Sequence, residues 1–122
     1  MKDEFGFENL EVWRKAIELA NFAYKLTSAF PTDERFGLVS QMRRASVSVS
    51  ANIAEGSSRW SHAEQARFYE IAYGSLMELV SETKIAEQQG FLSSEKYAEM
   101  RMKASEIARM LSSLRRATLQ KT

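Results

Sequence analysis

Few residues in this sequence could move a proton or hold a cation. His62 is the single histidine, and Glu78 and Glu82 stand one helical turn apart, a spacing that puts both carboxylates on one helix face. A general base needs a group to orient it, and a di-iron bundle needs a Glu-x-x-His pair from each of two helices, which one histidine cannot supply. A magnesium-dependent nuclease needs clustered carboxylates, whereas an isolated glutamate pair at i, i+4 is common on solvated helix faces. The chain has no cysteine, so thiolate nucleophiles, zinc fingers and disulfides are excluded. It also lacks a Gly-rich phosphate loop and a hydrolase elbow. The expectation is a protein without catalytic residues, metal or cofactor.

Binding chemistry is better represented. Arg109, Arg115, Arg116 and Lys121 are the charged residues of the last fourteen positions, with no acid among them, although cations also favour a helix C-terminus for electrostatic reasons. In "QMRRASVSVSANIAEGSSR", Gln41, Arg44, Ser48, Asn52, Glu55 and Arg59 fall in one stripe of a helical wheel, beside the apolar stripe of Leu38, Met42, Ala45, Val49 and Ile53. Such a ladder is tolerable in a packed setting only if its members bond one another. The candidate pairs are Arg44 with Glu55 or Glu78, and Asn52 with Ser48 or Ser75. Arg43 lies on the other side of the wheel and is expected to be exposed. Arg43, Arg59, Arg109, Arg115 and Arg116 are therefore the candidate phosphate-binding residues, with Trp60 the one exposed-looking ring beside them. The formal net charge of +1 adds little, since nucleic-acid binders are usually clearly basic.

The elements that must position these residues are helices. A 44% hydrophobic fraction, 27% charged residues, five glycines and one proline fit a helix-rich domain. At 122 residues the chain is long enough for one core, and no second domain is indicated. Apolar spacing predicts helices at about 9–28, 33–55, 61–89 and 94–118. Pro31 ends the first, Thr32 or Asp33 caps the second, and Gly56 stops it. Ser61 with Glu64 forms a capping box for the third, Gly90 closes it, and Ser93 or Ser94 caps the fourth. Short connections place sequential helices side by side, giving an all-α, antiparallel, up-down-up-down four-helix bundle. The first helix carries two apolar stripes and the second leaves little face for water, which predicts a homo-oligomer. Phe5 and Phe7 in "MKDEFGF" are expected to pack on the bundle or on a neighbouring chain. The N-terminal residues lack signal-peptide features and no apolar run could span a bilayer, so a soluble cytoplasmic protein without membrane contact is expected.

"FENLEVWRKAIELA", "FPTDERFGLVSQMRRASVSVSANIAEGSSR" and "FYEIAYGSLMEL" resemble, in order and spacing, the bacterial four-helix-bundle family encoded in intervening sequences of 23S ribosomal RNA genes. "NIAEG" followed by Arg59 is the most specific part. The family is similar to the accessory variability proteins of diversity-generating retroelements. The resemblance implies a ring-like homopentamer that binds RNA or DNA and has no assigned enzymatic activity. The alternative is a protein-interaction scaffold for a partner such as a reverse transcriptase. Ser50 stands where many members have proline, so the second helix is expected to be less kinked here.

Overall fold

The structure is a computed structural model that describes residues 4–121. Met1, Lys2, Asp3 and Thr122 of the expected domain lie outside the described residues. Four helices account for most of the chain: α1 Glu11–Thr27, α2 Leu38–Ser57, α3 His62–Gln88 and α4 Ser94–Leu119. Each helix packs on two neighbours, α1 and α3 both lying against α2 and α4. This closed antiparallel arrangement is the expected bundle. Its core is built from one stripe per helix: Val12, Ala16, Leu19 and Ala23 of α1, Met42, Val49 and Ile53 of α2, Leu76 and Leu79 of α3, and Met100, Ile107 and Leu111 of α4.

The helix ends follow local chemistry. Ser61 Oγ accepts the Glu64 N–H and Ser93 Oγ accepts the Lys96 N–H, each satisfying one free donor of a first turn. Gly90 has φ +80°, and the Phe91 N–H reaches back to the Ala86 carbonyl at 2.9 Å, a left-handed stop suited to glycine. The start of α2 differs from the sequence expectation. Thr32–Glu34 forms a separate 3-10 turn after Pro31, and α2 begins only at Leu38. The Glu34 carboxylate, not Thr32 or Asp33, caps it by accepting the Leu38 N–H at 3.1 Å. Ser50 is buried inside an uninterrupted α2, its hydroxyl donating to the Val47 carbonyl. Phe7 packs edge-on against Trp13 at 4.9 Å between ring centroids and stacks with the exposed Phe5.

Gly56 is not a helix stop. It lies buried within α2, where an added Cβ would come 2.9 Å from Phe68 Cβ and from Tyr69 Cε1, and 3.2 Å from the Gln65 carbonyl oxygen. Glycine is required because α2 and α3 nearly touch there. Gly56→Ala should therefore lose about 1–2 kcal/mol, overpacking outweighing the gain in helix propensity. Gly74→Ala, on the open face of α3 with nothing within 4 Å, should gain up to about 1 kcal/mol. Urea melts of the two variants should move in opposite directions.

Candidate nucleic-acid interface

The polar stripe of α2 divides in two. Asn52 Nδ2 donates to the Ser48 carbonyl at 2.8 Å and to Ser48 Oγ at 2.9 Å, and Ser48 Oγ shares a 2.9 Å hydrogen bond with Ser75 Oγ of α3. That half is a half-buried chain tying the two helices together. Gln41, Arg44 and Glu55 are exposed, and Glu55 pairs with Arg59 instead of Arg44. Neither expected Arg44 pair forms: Arg44 and Glu55 share the outer side of α2 but stand eleven residues, about 16 Å, apart along it, and Glu55 is taken by Arg59. Helix α2 thus has an outer face, with Gln41, Arg44, Val47, Ala51 and Glu55 all exposed.

Two of the arginines expected at a phosphate surface are engaged elsewhere. Arg43 is half-buried: Nε donates to Thr27 Oγ1 at 2.9 Å, an Nη donates to the Tyr24 carbonyl, and the guanidinium sits 4.5 Å from the Tyr24 ring centroid. It holds α2 to the C-terminal end of α1, where a cation complements the helix dipole. Arg59 lies over the Phe68 ring at 4.6 Å, pairs with Glu55, and its carbonyl accepts from Gln65 Nε2 at 2.9 Å. It closes the α2–α3 turn. Trp60 beside it is 99% exposed.

The remaining arginines gather along the α3–α4 seam. Small side chains at Ser105, Ala108 and Ser112 of α4 leave a trough against Tyr73, Met77 and Val80 of α3. Arg101, Arg109 and Arg116 line it, and Arg115 stands at its C-terminal end, bonded to Glu70 of α3. Arg109 donates only to Ser105 Oγ at 2.9 Å, and among the described residues Arg101 and Arg116 meet no carboxylate. The acids of α4 lie on its other flank, Glu106 against Lys15 and Glu99 against Lys96. Sequence reading missed Arg101 and Tyr73. The available signal was the spacing of Arg101, Arg109 and Arg116, within about 80° of one another at ~100° per residue, while Glu95, Glu99 and Glu106 form an adjoining stripe about 40° wide, turned away from Arg101 but only about 40–60° from Arg109 at its nearer members.

The glutamate pair of α3 is asymmetric. Glu78 is exposed, whereas Glu82 is 6% exposed with one carboxylate oxygen lacking a hydrogen-bond partner. Burial first, then the charge and hydrogen bond of Glu78, push Glu82 up to about 7. Among the described residues no third histidine, aspartate or glutamate joins the pair to make a metal donor set. His62 lies at the first turn of α3, half-buried and apart from both glutamates.

Geometry and charge define an antiparallel four-helix bundle in which Arg101, Arg109 and Arg116 share the α3–α4 seam. The chain belongs to the 23S rRNA-intervening sequence protein family, which matches residues 8–113. A crystal structure of a protein of unknown function from the S23 ribosomal protein family of Bacteroides thetaiotaomicron has the same fold. It superposes with a TM-score of 0.76, is 24% identical, and the match covers 84% of this chain and 96% of that one. Among curated proteins no sequence matches. No helix among the described residues is long and apolar enough to cross a membrane.

Glu82 makes stability depend on pH. The folded chain keeps this proton up to about 7, while the unfolded chain releases it near 4.5. The resulting stabilisation is complete below the unfolded value and is lost as pH rises through about 7, by up to ~3 kcal/mol. Glu82→Gln keeps a neutral donor beside Glu78. It should melt higher than the parent at pH 8, and the gap should close by pH 5.

Proposed function

We propose that this chain is a non-enzymatic, homo-oligomeric bundle of the bacterial cytoplasm that binds nucleic acid along the α3–α4 seam. The observation that carries the reading is the charge segregation of α4: Arg101, Arg109 and Arg116 without carboxylate partners on one flank, and the acids on the other. Phosphates are the common biological anions that present themselves in rows, and arginine suits them through its fixed fork of donors. Assembly matters because it repeats a patch that is weak in one chain. Val47, Ile71 and Ile85 are exposed on the outer sides of α2 and α3, away from the trough, and supply apolar surface for contact between copies. The family resemblance makes a pentamer the expected form, and symmetric repetition would turn a few arginines into a multivalent surface.

A second reading rests on Phe36 and Trp60, 88% and 99% exposed at opposite ends of α2. Large bare rings at loop tips suit a protein partner, for which a reverse transcriptase is the candidate by resemblance. Binding assays separate the two.

Light scattering should return a multiple of the 13.9 kDa chain mass. Fluorescence anisotropy with short DNA and RNA probes should show affinity falling steeply with salt. Arg109→Ala and Arg116→Ala should each flatten the salt slope by about 0.7–0.9 per lost phosphate contact. Arg43→Ala should leave the slope alone and cost about 1–2 kcal/mol of stability, since its hydrogen bonds and ring contact are internal. An intact oligomer that binds no probe at low salt would leave the protein-partner reading standing.

A further inference from the structure

The trough has an aromatic floor as well as a charged rim. It comprises three adjoining cavities of about 220, 500 and 250 Å³, and Tyr73 lines all of them. The four tyrosines are not equivalent. Tyr24 is covered by the Arg43 guanidinium, Tyr97 by the Lys84 ammonium at 4.8 Å from its centroid, and Tyr69 is buried. Tyr73 alone presents an uncovered ring, 38% exposed, to the space between the arginines. Small neighbours at Ser105, Ala108 and Ser112 keep that ring open from the α4 side.

Resting on the nucleic-acid reading above, we infer that this trough takes a single-stranded nucleic-acid segment, one base stacked on Tyr73 and the flanking phosphates on Arg101, Arg109 and Arg116. Two physical points favour a single strand over a duplex. A duplex keeps its base faces stacked inside and offers only sugar, phosphate and groove edges, which would cover the arginines but leave the apolar floor of Tyr73, Val80 and Ala108 without a ring to pack on it. An unpaired base has a π face that both fills the floor and leaves its phosphates at the rim, the combination by which single strands are held without sequence preference. The arginines extend along the groove instead of clustering at a point: Arg101 to Arg116 is fifteen residues of α4, about 22 Å at ~1.5 Å per residue. A strand of several nucleotides can follow that line, whereas a single phosphate cannot occupy it.

The test uses the intact oligomer and two fluorescent probes of about twelve nucleotides, within the site sizes of single-strand binders: oligo(dT), and the same strand annealed to its complement. The single strand should bind at least ~10-fold more tightly than the duplex. Tyr73→Ala should weaken single-strand binding roughly 5- to 100-fold, the range for losing one base stack, with the salt slope unchanged. Tyr73→Phe, which keeps the ring, should bind as the parent does. Equal binding of the two probes, or a Tyr73→Ala variant that binds normally, overturns the inference and leaves nucleic-acid binding in place. A Tyr73→Ala variant whose mass by light scattering falls overturns it too, because the trough would then be a contact between copies. No binding of either probe at low salt removes the nucleic-acid reading and this inference together.

Discussion

The near-contact of α2 and α3 at Gly56 is the constraint on which the rest of the bundle depends. With no Cβ at that position the α2 backbone approaches Phe68, Tyr69 and the Gln65 carbonyl, and the two helices can then share a hydrogen bond between Ser48 and Ser75 farther along the seam. Two fixed points set both the separation and the rotation of α3. Phe68, Ser75 and Glu82, seven residues apart, are thereby turned toward α2. Tyr73 and Val80 are turned toward α4 by the same rotation, with Tyr69 buried between the two sides. The openness of Tyr73 is thus decided on the opposite side of its helix, together with the small residues α4 places across from it.

The same rotation explains the least comfortable group in the molecule. Position 82 must face α2 if position 75 does, and a glutamate there is carried into the seam with one oxygen unsatisfied. An ionised carboxylate in that setting would cost several kcal/mol, so the group holds its proton and bonds Glu78, which stays at the surface. The polar seam is therefore uneven. Asn52, Ser48 and Ser75 form a satisfied chain, while Glu82 is accommodated only through its protonation.

Much of this fold was legible because it is written in local chemistry. Ser61, Ser93 and Gly90 mark helix ends by their own hydrogen-bonding and φ preferences, and the core stripes follow from the 3.6-residue period. Gly56 misled because a glycine near a helix end looks the same whether it supplies a left-handed turn or room for a neighbour, and only the partner helix distinguishes the two. Arg44 and Arg43 misled for a related reason. A wheel gives the angle of a side chain but not which helix occupies that angle. The wheel puts Arg43 on an open face that α1 in fact covers, and it aligns Arg44 with Glu55 without showing the eleven residues of helix between them. Of the expected ladder pairs, Asn52 with Ser48 forms, one turn apart on the same helix, while Ser75 is reached by Ser48 and not by Asn52.

Net charge conceals the feature with the greatest functional reach. A chain of +1 has no long-range field to attract a polyanion, and its acids and bases nearly balance. The balance is spatial, though: on the α1 side of α4 glutamates meet lysines, while on the α3 side Arg101, Arg109 and Arg116 stand among serine and alanine, and only Arg115 meets an acid, Glu70. At physiological ionic strength charges separated by more than ~8 Å are largely screened, so a ligand in the trough feels the arginines it touches more than the acids on the α1 side of α4, although Glu70 neutralises Arg115 and Glu106 stands one turn from Arg109. Segregation at that distance lets a nearly neutral protein present a basic groove. It also keeps the rest of its surface mixed in sign, which the proposed assembly would need, since a uniformly basic surface would repel neighbouring copies.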